Sequence, residues 1–204
     1  MSRLDDLISK LKIEGVLKSP MLELALRSVD RKDFMLDEFI ESAYEDHPAP
    51  IGYQQTISQP FTVVFMLELL DLREDDKVLD IGSGSGWTTA LMAFMVSKSG
   101  SVTGLERVDE LVGFGKHNLK KYHLPNARIL HAKDHIGLEG ETFDRILVSA
   151  AAENFPNELL KQLENGGRMV IPIKNSIFLI EKDFDGSIVK HEYPGFVFVP
   201  LIVR

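Results

Sequence analysis

The sequence predicts an α/β fold: a doubly wound, mostly parallel sheet with antiparallel C-terminal strands and an N-terminal helical region. Three observations carry that expectation. After Asp76, short apolar runs alternate with longer amphipathic ones, the pattern of parallel strands joined by crossover helices. The run Val78-Leu-Asp-Ile is followed by Gly82, Gly84 and Gly86 at alternate positions and then by an apolar helical stretch. That order reads as strand, tight turn and helix N-terminus, with no side chains between the turn backbone and anything lying against it. Finally, residues 176–182, 187–193 and 195–203 are strand-like, with a turn signal at Asp185-Gly186. Such a tail suits antiparallel strands added to a sheet edge.

Taken in order, residues 3–12 suit a short amphipathic helix ending before Gly15. A second helix should start after Ser19, with Pro20 in its first turn. Its apolar Met21, Leu22, Leu24, Ala25, Leu26 and Val29 would leave Glu23, Arg27 and Asp30 for water. Residues 43–58 contain Pro48, Pro50 and Gly52 and read as a long loop, a frequent home of function. Helix returns at 60–70, with Pro60 at its start. Strands are then expected at 77–81, 101–106, 127–131, 143–149 and 168–173, and helices at about 87–98, 108–121 and 156–164. Gly166-Gly167 would cap the last helix. With no repeat or linker, residues 1–204 are expected to form one domain, 1–58 as helices and loop and 59–204 as the α/β core.

Composition narrows the function. The chain has 204 residues, 44% of them hydrophobic, enough for a substantial core. Its net charge of −8 argues against a nucleic-acid partner, which favours a basic surface. The absence of cysteine excludes disulfides, thiolate catalysis and cysteine–zinc sites. The six histidines form no H-E-x-x-H pattern, so no metal site is expected and His47 and His135 receive no catalytic role. The first twenty residues are charged and interrupted, unlike a signal peptide, and no apolar run is long enough to span a membrane. A cytoplasmic location is the expectation.

Two motifs carry the chemistry. The first is Asp80-Ile-Gly-Ser-Gly-Ser-Gly86. A dinucleotide fingerprint has G-x-G-x-x-G; the D-x-G-x-G-x-G pattern here resembles motif I of the S-adenosylmethionine-dependent methyltransferases. Glu106, about twenty residues further on at the end of the next apolar run, is placed to accept hydrogen bonds from both ribose hydroxyls. The second motif is Pro50-Ile-Gly-Tyr-Gln-Gln-Thr-Ile-Ser-Gln-Pro60. It sets the hydroxyls of Thr56 and Ser58 and the amides of Gln54 and Gln55 ahead of a helix, where Ser58 suits either an N-cap or a site residue.

Together these segments are similar to the protein-L-isoaspartate O-methyltransferase family, whose members carry P-I-G-x-G-Q-T-I-S-Q-P ahead of motif I. The likeness continues through Leu105-Glu106-Arg107, Phe143-Asp-Arg-Ile-Leu-Val-Ser-Ala-Ala, Leu163-Glu-Asn-Gly-Gly-Arg-Met-Val-Ile-Pro and Phe196-Val-Phe-Val-Pro-Leu. Arg31-x-x-Phe34, after the second helix, also matches. The resemblance implies a class I methyltransferase fold and S-adenosyl-L-methionine as cofactor. It implies methyl transfer to the α-carboxylate of isoaspartyl residues in damaged proteins and peptides, which starts repair through a succinimide. It makes Ser58 the active-site hydroxyl. It assigns the cofactor site to Thr56, Ile57, Asp80, Gly82, Ser83, Gly84, Gly86, Glu106 and Asp134, with Ala151 and its neighbours beside the methyl-transfer position.

The sequence departs from the family at two informative places. Gln54 stands where the family has glycine, and Ala132-Lys133-Asp134 stands for Gly-Asp-Gly, so that Asp134 serves only with a one-residue shift. These departures keep two alternatives in view: a carboxyl methyltransferase for aspartate in a dedicated peptide partner, and a cofactor-binding scaffold without catalysis. The expected protein is a monomer with isoaspartyl proteins and peptides as partners and neither nucleic acid nor membrane.

Overall fold

The computed structural model describes residues 3–202. The chain opens with helices α1 (Arg3–Ile13) and α2 (Pro20–Ser28), the second capped by the Ser19 hydroxyl, which accepts from the Leu22 amide at 3.2 Å. Two 3₁₀ turns follow, Arg31–Phe34 and Asp37–Ser42. Strands β1 (Ala49–Gly52) and β2 (Gln55–Ile57) form a small antiparallel hairpin. Then come α3 (Pro60–Leu70), β3 (Lys77–Ile81), α4 (Trp87–Met95), β4 (Ser101–Glu106), α5 (Asp109–Lys120) and β5 (Ala127–His131). The remainder is β6 (Phe143–Val148), α6 (Asn157–Gln162), β7 (Leu163–Ile173), β8 (Ser176–Lys182) and β9 (Ile188–Pro194).

The main sheet has the order β5-β4-β3-β6-β7-β8-β9. Its first five strands are parallel, and β8 and β9 add antiparallel. Successive residues alternate between two cores, as strand geometry requires. Val78, Leu147 and Val170 join the larger core under α1 to α5, whereas Leu79, Ile146 and Met169 join the smaller one with Leu159 of α6. Strand order reverses between β3 and β6, and in open α/β sheets ligands bind outside the carboxyl ends of the strands at such a point.

Several expectations are corrected. The 43–58 loop contains the β1–β2 hairpin, whose turn residues Tyr53 (φ 53°) and Gln54 (φ 59°) are both left-handed, as twist-matched tight hairpins need. Gly166-Gly167 caps no helix: α6 stops at Gln162 and both glycines lie within β7. They are needed there because a Cβ on Gly167 would fall 2.8 Å from the carbonyl oxygens of Asp144 and Glu164, and one on Gly166 would meet the Phe184 ring. On α2, Met21 and Leu24 face water, while Leu22, Ala25, Leu26 and Val29 make the buried stripe. The 195–203 run forms no ladder strand as far as residue 202, and residue 203 lies outside the described residues. Gly195, at φ 99°, turns the chain away from β9, and Phe196 stacks on Phe65 with centroids 5.1 Å apart. Beyond it, Pro200 forms an isolated bridge with Ala151, just past the end of β6, and Phe198 and Leu201 pack against the cores.

Candidate active site

The glycine turn leaves β3 at the sheet's carboxyl end. Gly82, Gly84 and Gly86 all have positive φ (80°, 52° and 90°). The Gly82 and Ser83 amides donate to the Leu105 carbonyl at 2.8 and 3.1 Å, drawing the turn over the end of β4. The three glycines do different work. A Cβ on Gly84 would reach to 3.2 Å from Ile51 Cδ1, into the gap between turn and hairpin. A Cβ on Gly86 would meet Ile129 Cδ1 at 3.0 Å and the Gly115 Cα at 3.4 Å, so this glycine lets α4 pack on α5 and β5. Ser83 is turned inward likewise, its Cβ packed against Gly104 and its Oγ buried without a partner.

Two carboxylates brace the turn. Asp80, fully buried, accepts from the hydroxyls of Thr88 (2.8 Å) and Thr89 (2.6 Å) through Oδ2, tying strand to helix. Its Oδ1 has no partner among the described residues. Burial pushes its pKa up to about 6, against the pull of the Thr89 and Thr88 hydroxyls and with a further push from the charge of Glu106. Glu106 accepts from the Arg107 and Val108 amides through Oε1 (2.7 and 2.9 Å) and from the Gly84 amide through Oε2 (3.0 Å). A carboxylate oxygen has room for about two donors. The free capacity of Glu106 is therefore at Oε2, which narrows the expectation that both oxygens serve a ribose.

Ser58 lies on the other side, between β2 and α3. The N-cap of α3 is Gln59, with no side-chain cap, and the first-turn amide of Phe61 donates to Asp46 Oδ1 at 2.8 Å. Ser58 is therefore not the cap. Its carbonyl accepts from Arg31 Nη2 at 3.1 Å, and its hydroxyl makes no hydrogen bond among the described residues.

Between turn and hairpin is a cavity of about 820 Å³, open mouth included, within the range of small-ligand sites. Thr56, Ile57, Ser58, Gly82, Ser83, Gly84 and Glu106 all lie on its wall. Asp80 and Gly86 stand behind that wall as braces, and Asp134 is exposed and apart from it, as is Lys133. Ala132, whose amide donates to the Glu106 carbonyl at 2.8 Å, is the residue of that segment that reaches the cavity. Ser149 and Ala150 at the end of β6 form the floor. The tail forms a further wall through Val199 to Ile202, pinned where the Ala151 amide donates to the Val199 carbonyl (2.8 Å) and the Leu201 amide to the Ala151 carbonyl (2.7 Å). Sequence reasoning missed Trp87, Ile51 and this tail wall. Trp87 read only as the first apolar residue of a helix, and the tail read as a strand.

The residues present fit an adenosine-bearing cofactor: a turn whose cradle a Cβ at Gly84 would fill, and an acidic acceptor with free capacity at Glu106 Oε2. The sequence model of the protein-L-isoaspartate(D-aspartate) O-methyltransferase family matches residues 2–204. The chain belongs to that family. The protein-L-isoaspartate O-methyltransferase of Methanopyrus kandleri is 41% identical over 202 residues, covering 96% of this chain and 89% of that one. Its counterpart from Ignicoccus hospitalis is 39% identical, covering 97% and 96%. Among solved structures, a Plasmodium falciparum chain described as a protein-L-isoaspartate O-methyltransferase, in complex with S-adenosyl-L-homocysteine, superposes with a TM-score of 0.88 at 28% identity and full coverage of both chains.

Proposed function

We infer that the protein transfers the methyl group of S-adenosyl-L-methionine to the free α-carboxylate of L-isoaspartyl residues in proteins and peptides, as a protein-L-isoaspartate O-methyltransferase. The observation that carries this reading is one cavity with the glycine turn and Glu106 on one wall and the unpartnered Ser58 hydroxyl on another. The cofactor supplies an electrophilic methyl group on a positively charged sulfur. Gly82, Ser83 and Gly84 offer it backbone, Glu106 Oε2 a ribose hydroxyl acceptor, and Thr56 and Ile57 a facing wall.

The substrate carboxylate has an ordinary pKa near 4 and is ionised at neutral pH, so no general base is required. What the protein must supply is alignment of carboxylate oxygen, methyl carbon and sulfur, which is worth about 7–11 kcal/mol in favourable cases. Ser58 Oγ donates to one carboxylate oxygen and leaves the other free to attack. A bound cofactor held by the turn and Glu106 would give up its methyl group there, the oxygen–carbon bond forming as the carbon–sulfur bond breaks and the electron pair staying on sulfur. The ester carries a better leaving group than the carboxylate does, so off the enzyme the backbone amide nitrogen of the next residue attacks the ester carbonyl and closes a succinimide. The C–OCH3 bond breaks, leaving as methanol with the amide proton, and hydrolysis returns part of the succinimide as aspartate. We place this activity in a single-domain, cytoplasmic monomer. Among the described residues no helix is long and apolar enough to cross a membrane.

The test is methyl transfer to an isoaspartyl peptide and to its aspartyl twin. Turnover of the isoaspartyl peptide alone is the expected result. Preference for the aspartyl twin would transfer the enzyme to the dedicated-partner reading, and cofactor binding without turnover of either would leave a scaffold.

A further inference from the structure

The 43–58 segment is organised around a buried cation that the chemistry above does not use. Arg31 is 3% exposed. Its Nη1 donates to the carbonyls of Ala43 (2.9 Å) and Glu45 (3.4 Å), and its Nη2 to those of His47 (2.9 Å) and Ser58 (3.1 Å). Its Cζ lies 5.6 Å from the centroid of the Trp87 ring. No carboxylate forms an ion pair with it among the described residues. The nearby Asp46 is engaged instead by Lys10 (3.1 Å) and by the Phe61 amide. Burial lowers the Arg31 pKa to about 10, with Asp46 opposing, so the group is still charged at neutral pH.

A charge buried without a counter-ion is costly. Stability alone is poorly served by it, since an apolar side chain could fill the same space. What arginine provides is reach: a rigid planar fork can grip four carbonyls from separate points of the chain, which neither a lysine ammonium nor an apolar group can do. Three of those points lie in the 43–47 turn, and the fourth is the backbone of Ser58. On its other side, the same short stretch grips the cofactor wall. The Trp87 indole donates to the Val29 carbonyl at 3.4 Å, and Trp87 lines the cavity as the first residue of α4.

We propose that Arg31 is a positioning residue of the active site, fixing the Ser58 hydroxyl relative to the Trp87 wall by holding the Ser58 carbonyl in its guanidinium fork. The inference rests on the reading of Ser58 as the group that meets the substrate carboxylate. Arg31 itself touches neither substrate nor cofactor. Its contribution is geometric: when the fork is lost, Ser58 still has its hydroxyl but no fixed place from which to present it.

The experiment is a kinetic cycle of wild type, Arg31→Lys, Ser58→Ala and the double variant on one isoaspartyl peptide, with S-adenosyl-L-homocysteine affinity read from the fluorescence of Trp87, the chain's single tryptophan. Arg31→Lys keeps the charge and loses the fork. It should lower kcat by about tenfold or more while cofactor affinity stays within about threefold. In the Ser58→Ala background the same change should cost about twofold at most, because residues acting through one another are not additive. Arg31→Met, close in length and uncharged, provides a second way to remove the fork and should show the same pattern. Additive losses, an unchanged kcat in a less stable Arg31→Lys protein, or a fall in cofactor affinity as large as the fall in kcat would each overturn the proposal. So would failure of both Arg31 variants to fold, which would make the residue purely structural. A wild-type protein that binds cofactor and methylates no isoaspartyl peptide would instead sink the functional reading itself, an outcome the wild-type assay separates from an additive cycle.

Discussion

The glycine turn and the β1–β2 hairpin face each other across one cavity, yet they are built in opposite ways. The turn is assembled mainly by near neighbours and the adjoining strand. Asp80 binds Thr88 and Thr89, eight and nine residues on, and Glu106 closes on Gly84 from the end of the next strand. The hairpin segment is held from outside: Arg31 grips the carbonyls of residues 43, 45, 47 and 58, and the segment's own Asp46 is engaged by Lys10 of α1 and by the Phe61 amide at the start of α3. The first wall follows from a rule about strands, glycines and helix starts. The second exists only once α1, α2 and α3 have docked. The wall made by the turn should therefore be sensitive to local backbone change, and the wall made by the hairpin segment to changes far away in sequence.

The largest effect should come from breaking the locally built wall. Gly84→Val puts a branched side chain at φ 52° and directs it toward Ile51 across the cavity. The left-handed conformation costs about 1–3 kcal/mol, leaving a folded but less stable protein. S-adenosyl-L-homocysteine binding, followed by Trp87 fluorescence, should be undetectable. Ordinary affinity in the folded variant would remove the turn from the site.

Next in size is the hairpin-side wall at Ser58, where the proposed function puts the substrate carboxylate. Ser58→Ala should lower kcat/KM by roughly tenfold to a thousandfold. Because its hydroxyl has no partner among the described residues, the melting temperature should hardly change. The cost of losing a helix cap, about 1 kcal/mol, should be found at Asp46→Ala, which removes the acceptor of the Phe61 amide. Paired melting curves and rates for the two variants decide this: an inactive Asp46→Ala beside an active Ser58→Ala would reverse the assignment.

The brace behind the turn can be read through pH. The Asp80 pKa of about 6 in the folded chain lies above the ordinary value of 3.8. Between those two values the folded protein holds a proton that the unfolded chain has lost, so this group's contribution to stability falls as pH rises through the window. Asp80→Asn does not titrate there. Subtracting its unfolding free energy from that of wild type should give a difference that declines from pH 4 to 6 and is flat above. A difference that rises with pH would mean that Asp80 is stabilised as an anion by its threonines.

The smallest effect tests the hairpin's own geometry. Gln54 holds φ 59°, a conformation that a glycine would adopt without cost. Gln54→Gly should relieve about 1 kcal/mol of backbone strain and return about half of it through the more flexible unfolded chain. A slightly higher melting temperature with unchanged cofactor affinity is expected, and a lower one would mean that the glutamine side chain compensates its own backbone.

The sequence by itself determined the part of the molecule in which each residue's role depends on its neighbours. Strands β3, β4 and β5 are found where apolar runs end at Ile81, Glu106 and His131, and the helix after Gly86 starts at Trp87. Glycines at alternate positions could mean little but a turn against a sheet end, and an acid one strand later could close on it. Resemblance to a family brought Ser58 into view, but the sequence could not separate a hydroxyl that caps a helix from one that faces a cavity. Tertiary structure decided that, because the amide in question is taken by Asp46, fifteen residues away. Tertiary structure also moved Gly86 from the cavity wall to helix packing, left Asp134 in solvent, and brought the tail from Val199 to Ile202 over the site. Those outcomes depend on which surfaces meet when helices dock on the sheet, and periodicity or spacing along a chain carries no record of it. Arg31 is the plainest case: the sequence marked it only as part of the Arg31-x-x-Phe34 likeness, with no role attached, and only tertiary structure buries it against four carbonyls and an indole.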